Sequence, residues 1–348
     1  MKVEKGKPEI SIVVPFYNAG QTLQFCLEAI EAQSLKPEEV ILVDNNSKDN
    51  SNEIVKKFIN DKNGRYISCR EKKIGPASAR NAGIEESKKD VIVFTDADCI
   101  PDENWLETIS KEFEDPDVCA VAGKIEGYVG KSLLEKFHSL FTLQSPQNTF
   151  LFNEFTLVNG GFPAANFAVR KEILNAIGGF DEKLLVGEDY DLCARIYKAG
   201  FVIKFVGSAI VHHLHRSSIK STWKQSVGFG EAHAKLLRKH FTKLLILELP
   251  GGRYITEKWP SRAWFNLASA DKKFLLLVIT AAIWKPGVLI LFLYIIWLVR
   301  SIKRRGVHQN MPFKFADAVL MTGLLLIKSA AFTTGRVMGS IKEKVLCI

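Results

Sequence analysis

Apolar positions along this chain come in short blocks separated by polar clusters, and the blocks alternate in type. Residues 10–15 (ISIVVP) are a β-branched run stopped by a proline, which predicts a buried strand opening the fold. Between 22 and 33, Leu23, Leu27 and Ile30 recur at helical spacing, and 40–43 is a second apolar run followed by polar Asp44, Asn45, Asn46 and Ser47. Helices are predicted over 49–59 and 75–87, with another buried strand over 91–95. Strand, helix and strand in repetition imply a mostly parallel central sheet with helices on both faces, an α/β architecture.

Further along the rhythm changes. Residues 118–127 read as strand and 131–155 as long and mostly helical. Gly160, Gly161, Pro163, Ala164 and Ala165 form a small-residue loop before a strand at 167–170. A Gly178-Gly179 loop then leads to an acidic helix start at Glu188, and 201–211 is strand-like. Beyond 243, residues 274–284 and 288–299 are apolar runs joined by Lys285, Pro286 and Gly287. Either run alone is shorter than the roughly 17 residues a bilayer span needs; together they suit one kinked span or a re-entrant hairpin, and the basic residues flanking them favour a hairpin or interfacial helices over two full spans or core helices. A third apolar stretch, 315–335, contains Asp317 and Lys328. The expected division is a catalytic domain over 1–240 and a basic, apolar, helical membrane-associating region over 241–348.

Charge sharpens that division. Residues 1–240 carry 31 Lys and Arg against 33 Asp and Glu, whereas 241–348 carry 16 against 5. Basic residues interleaved with Leu and Ile suit an anionic membrane surface and make a poor phosphate-tracking face, so nucleic acid is not an expected partner. The six cysteines form no CxxC pair, which fits unpaired thiols in a reducing compartment. No signal-like apolar run precedes Pro15, so the catalytic domain is expected on the cytoplasmic side of the cell membrane.

Candidate chemistry gathers where the strands end. Ligands of open α/β sheets bind along the carboxyl-end rim, and three ends there are polar: 15–18, 44–47 and 96–98. Asp96 and Asp98, two residues apart after a strand, can reach one hard cation, Mg²⁺ or Mn²⁺, of the kind that grips a diphosphate. Glu188 and Asp189 read either as acidic residues favoured at a helix N-terminus or as a carboxylate able to take a hydroxyl proton. One of His212, His213 and His215 can complete a metal shell.

Taken jointly, IVVPFYNA (12–19), EVILVDNNSKDNS (39–51), GPASARNAG (75–83), VFTDADC (93–99), NFAVRKEILNAIGGF (166–180) and GEDYDLCAR (187–195) resemble the family 2 glycosyltransferases. These are inverting enzymes of the GT-A fold, the nucleotide-diphospho-sugar transferase superfamily. The resemblance covers about residues 10–240. It implies that Pro15, Tyr17 and Asp44 hold the nucleoside, usually uridine or guanosine, and that Arg80 and Asn81 lie near the sugar nucleotide. It also implies that Asp96 and Asp98 hold the metal with His212 or His213, that Gly160, Gly161 and Phe162 face sugar or acceptor, and that Asp189 is the general base beside Glu188.

Processive members carry a QxxRW motif after the base, and this chain has Ser221-Thr222-Trp223-Lys224-Gln225 in that region instead. Transfer of a single sugar is therefore expected, to a lipid-linked or polysaccharide acceptor such as a polyprenyl-linked glycan. A nucleotidyltransferase would need a Gly-rich, Lys-bearing loop after the first strand, which residues 13–17 lack. A non-catalytic scaffold of the same fold is the remaining alternative, and it gives no reason to keep four rim carboxylates that repel one another without a cation.

Overall fold

The computed structural model describes residues 8–60, 62, 64–128, 132–141, 146, 148–214, 218–309, 311 and 313–348. The chain divides into two compact units, Met1–Tyr128 with Leu143–His215, and Val129–Thr142 with Arg216–Ile348.

The first unit follows the predicted alternation: β1 (Ile10–Phe16), α1 (Leu23–Glu31), β2 (Glu39–Asp44), α2 (Ser51–Ile59), β3 (Tyr66–Arg70), α3 (Pro76–Glu86) and β4 (Val91–Thr95). After these come β5 (Cys99–Pro101), α4 (Trp105–Glu112) and β6 (Ala120–Gly127). Next, α5 (Leu133–Phe141) belongs to the second unit, and β7 (Phe150–Phe152), β8 (Asn166–Arg170), α6 (Lys171–Ile177), α7 (Glu188–Lys198) and β9 (Ile203–His213) complete the first.

One sheet runs in the order β3-β2-β1-β4-β8-β6-β9-β5, with β7 also on β9. Strands β3, β2, β1 and β4 are parallel, and β8 reverses the direction. β6, antiparallel to β8, restores the original sense, and β9 runs parallel to β6. Both faces are covered, which explains why the strands read as unbroken apolar runs. Ile12, Val14, Leu42 and Val93 pack on one side with Leu27 of α1, Val55 of α2 and Leu106 of α4. Val13, Ile41 and Phe94 pack on the other with Ala79 of α3, Leu174 of α6 and Ile196 of α7. Gly83 lets α3 sit close on β1, because a Cβ there would run into Val13.

Two sequence expectations change here. The long helix over 131–155 is instead the short α5 followed by β7. Pro146 has no N–H to donate and biases the preceding residue out of the helical region, so a helix does not run through it. The strand expected over 201–211 extends through His213, because β5 pairs with its last residues, Cys99 opposite His213 and Ile100 opposite His212.

The second unit adds α8 (Ile219–His240), β10 (Leu244–Leu249), β11 (Gly252–Thr256), β12 (Arg262–Asn266), α9 (Ala270–Ile283), α10 (Gly287–His308), α11 (Phe315–Glu343) and β13 (Leu346–Cys347). Its boundary falls at 216 rather than 240, because α8 packs along α11. The region beyond 241 is not wholly helical either: β11-β10-β12-β13 form a second sheet. Leu244 and Ile246 alternate inward along β10, a period-2 signal that a purely helical reading of the tail overlooks. Small residues set the α8–α11 crossing, where a Cβ on Gly335 would meet the Val227 carbonyl. Among the described residues, α11 is the one helix long and apolar enough to cross a membrane.

Candidate active site

Strand register lines the rim with polar groups. Phe16 lies opposite Asp44, and Asp44 opposite Arg70, across three adjacent parallel strands. The Asp44 carboxylate accepts from the Ser47 backbone N–H at 2.8 Å and from Asn52 Nδ2 at 3.1 Å, with Arg70 Nε 3.7 Å away. The two loops are tied together: Asn18 accepts from the Lys48 N–H at 2.8 Å, while Ser47 Oγ accepts from the Asn18 N–H at 3.0 Å. Asn18 and Asn46 both hold positive φ (50° and 68°), which Asn tolerates better than most residues. Pro15 is half-buried in β1, and Tyr17 stands on the rim 59% exposed.

The centre of the site is Arg80. Pro76 opens α3 without leaving an N–H unsatisfied, and one turn later Arg80 is buried at 5% exposure. Its Nη2 donates to Asp96 Oδ1 at 2.8 Å and its Nη1 to Glu188 Oε1 at 2.7 Å. The guanidinium also lies 5.6 Å from the Phe180 ring centroid. Burial opposes its charge, but Asp96, Glu188 and Asp189 together raise its pKa, so it stays a cation. Two segments far apart in sequence, the DxD turn and the start of α7, therefore share one fixed positive charge.

Asp189 sits beside this ion pair in the first turn of α7, half-buried. Gly187 precedes the helix in the left-handed region (φ 84°), which lets the chain turn sharply into it. Burial pushes the Asp189 carboxyl up to about 7, with the Glu188 charge adding to the rise and Arg80 opposing it. Its Oδ2 lies 3.4 Å from the Ala164 N–H. Opposite, Gly161 makes room for Tyr190, because a Cβ on Gly161 would run into that ring. The small-residue loop at 160–165 and the α7 start thus fit together through a missing side chain.

Asp98 has a different partner. His213 Nε2 is 3.5 Å from Asp98 Oδ1, and donor atoms of Asp98, Cys99 and His213 all lie within 4.8 Å of one another. Burial, and then the charges of Asp98 and Asp96, raise the Cys99 thiol well above its usual range, and its Sγ lies 3.8 Å from Asp98 Oδ1. A carboxylate plus an imidazole suits Mn²⁺ or Mg²⁺ poised beside a diphosphate, and the residues present fit such an ion.

Two of the expected site residues are used elsewhere. His212, one of the two imidazoles expected on the metal, is turned to Asp102 (2.8 Å) and Glu126 (4.0 Å), because successive strand residues point to opposite faces. Asn81 fastens the Gly178–Glu182 loop: its Nδ2 donates to the Phe180 carbonyl and Glu182, and its Oδ1 accepts the Phe180 N–H at 2.8 Å. His215 lies outside the described residues. Two further groups support the site, Arg70 and the Asp191–Arg195 pair. Arg195 donates to the buried Asp191 at 2.8 Å and to the carbonyls of Ile177 and Gly179, anchoring the loop that presents Glu188. The i, i+4 spacing of Asp191 and Arg195 was the available signal for that pair.

A half-parallel sheet bearing an acidic turn after β4 and a carboxylate pair at the head of α7 defines the class of nucleotide-sugar transferases with the GT-A fold. Residues 11–178 match the family described as Glycosyl transferase family 2, and this stretch is a domain of that family. It is 29% identical over 235 residues to a protein named Glycosyltransferase AglE from Haloferax volcanii, covering 66% of this chain and 75% of that one. It is 32% identical over 182 residues to a Pre-mycofactocin glycosyltransferase of Mycobacterium tuberculosis, covering 51% of this chain but only 38% of the relative's length. Among solved structures, Mannosyltransferase PcManGT from Pyrobaculum calidifontis, in complex with GDP-Man and Mn²⁺, superposes with a TM-score of 0.51 at 16% identity, covering 93% of this chain and 87% of that one. At that identity the likeness speaks for the fold.

Proposed function

We propose that this chain moves one sugar from a UDP- or GDP-sugar to an acceptor hydroxyl presented at a membrane, such as that of a polyprenyl-linked glycan, inverting the anomeric centre. The product would enter cell-surface polysaccharide or glycoprotein glycan assembly. The observation that carries this reading is the buried Arg80 bridging Asp96 and Glu188, with Asp189 beside it. Relatives named as an O-antigen chain rhamnosyltransferase and a poly-beta-1,6-N-acetyl-D-glucosamine synthase support the same class.

In this reading Asp44 and the Pro15–Tyr17 turn receive the nucleoside. Asp98 and His213 would hold Mn²⁺ or Mg²⁺, and Asp96, already bonded to Arg80, would contribute its carboxylate charge. When bound, the ion would offset negative charge growing on the departing diphosphate. Asp189 takes the acceptor proton as the acceptor oxygen bonds to the anomeric carbon and the bond to the diphosphate breaks. A carboxyl with a pKa near 7 is matched to that task at neutral pH. Arg80 supplies fixed positive charge inside the site, where it needs no reorganisation during the reaction.

The test is nucleotide release from a panel of UDP-, GDP- and dTDP-sugars by detergent-solubilised protein with native lipid extract, followed by mass analysis of the lipid product. Release that requires a divalent ion and Asp189, with a glycosylated lipid product, supports the reading. Absence of both nucleotide and Mn²⁺ binding would point to the scaffold alternative.

A further inference from the structure

The helices α9 and α10 form a hairpin whose outer surface is apolar. Leu275, Leu276, Ile283, Leu289, Phe292 and Leu293 are each more than half exposed, and α9 buries none of its residues. The arms are antiparallel and their base is fixed: Tyr294 Oη donates to the Ala270 carbonyl at 3.3 Å, and Lys273 Nζ lies 5.9 Å from the Trp297 ring centroid. The tip is the Trp284–Gly287 turn, and Lys285 is the one charged residue between 274 and 299.

Length and charge say what this surface meets. From Lys273 to Trp284 the helix climbs about 16 Å at 1.5 Å per residue. That is close to half of the roughly 30 Å hydrocarbon core of a bilayer. At the base, Arg300, Lys303 and Arg304 are exposed, and Lys273 stands at the start of the other arm, where Lys272 is turned inward to Ser269 Oγ (3.3 Å) and Thr333 Oγ1 (3.1 Å). Asp271, the acidic residue at that level, is turned inward to accept from Ser329 Oγ at 2.6 Å. The collar is therefore basic, and Tyr294 and Trp297 sit at its height, where amphipathic rings favour a membrane interface.

The competing element is α11, which passes for a membrane span by length and composition. Its packing argues otherwise. The charged helix α8 runs along it, with Arg238 to Glu343 and Lys342 to Glu231 ion pairs, and Arg336 of α11 is buried against the Trp264 ring. A helix committed to a polar partner in this way is poorly suited to lipid.

We propose that the α9–α10 hairpin inserts tip-first into one leaflet of an anionic bilayer without crossing it, with the collar of Lys273, Arg300, Lys303 and Arg304 on lipid phosphates. The inference stands on the second unit alone and does not depend on the chemistry proposed above.

The full chain is mixed with vesicles of phosphatidylcholine, or of phosphatidylcholine and phosphatidylglycerol in equal parts, and binding is read by sedimentation. Binding is expected to favour the anionic vesicles and to weaken with salt. Ile283→Asp with Leu289→Asp should weaken it roughly tenfold or more, because apolar burial drives interfacial partitioning. Arg300→Glu with Arg304→Glu should erase the preference for anionic lipid, and Lys285→Leu should strengthen binding. Circular dichroism and thermal unfolding confirm that each variant is folded. In proteoliposomes, Pro286→Cys should react with a membrane-impermeant maleimide from neither side until detergent is added. Labelling of that cysteine from the lumen, with the protein added outside, overturns the proposal. So does binding indifferent to the paired aspartates, or a lipid-free dimer that hides this face and ignores vesicles.

Discussion

Arg80 and Glu188, 108 residues apart in the chain, meet through Nη1 and Oε1 at 2.7 Å within the buried interior of the first unit. The same guanidinium holds Asp96 at 2.8 Å, so one side chain fixes the distance between the DxD turn and the head of α7. Arg80→Ala would leave a buried carboxylate without its counter-charge, a loss of roughly 3–5 kcal/mol for such pairs. Thermal unfolding should show that loss, and sugar transfer should vanish with it. Arg80→Lys keeps one charge but not the fork, and should recover part of the stability and little of the activity.

Asp189 should make the reaction depend on pH. The carboxyl must be ionised to accept a proton, so turnover should rise through about pH 7 and level off above it. Asp189→Asn should lower kcat roughly 10²-fold or more with little change in donor KM, since a base acts mainly in the transition state. Stability should move the other way. The folded carboxyl holds its proton more tightly than an unfolded one at 3.8, so its ionisation costs stability as pH climbs from about 4 to about 7. The Asn variant should therefore melt higher than the parent at pH 8.

The two adjacent histidines give a sharp contrast. His213→Ala should weaken Mn²⁺ binding roughly tenfold or more, because it removes a donor beside Asp98. His212→Ala should leave Mn²⁺ titration unchanged, since that ring is engaged with Asp102 on the opposite face. Equal effects in the two variants would contradict this assignment.

Gly161→Ala places a methyl against the Tyr190 ring and should displace the start of α7, lowering both turnover and melting temperature. Pairing it with Tyr190→Ala should restore part of the turnover, which distinguishes a steric effect from loss of a ligand contact.

Much of the parallel half of the sheet was readable, because strands buried on both faces leave unbroken apolar runs such as 10–15 and 91–95. The rim carboxylates were readable for a related reason: polar residues at the ends of such runs have few structural uses. What escaped were features decided by pairing. Whether His212 or His213 faces Asp98 depends on strand register, which residue order alone does not reveal. Asn81 falls inside a motif, yet its amide is committed to the backbone of Phe180, a contact across 99 positions. The second sheet was obscured because β10 and β12 sit in a tail whose basic and apolar composition reads as helix.

Register between β6 and β9 shifts once, with Gly123 opposite Val206 and Lys124 opposite Ile210, so β9 carries an insertion of three residues relative to its neighbour. An odd insertion inverts the parity of everything downstream. Beyond the insertion, pairing with β5 places His213 opposite Cys99 and His212 opposite Ile100, so His213 is the imidazole beside Asp98. Which of two adjacent imidazoles stands beside Asp98 is thus set by where the insertion lets pairing resume, and not by either histidine itself.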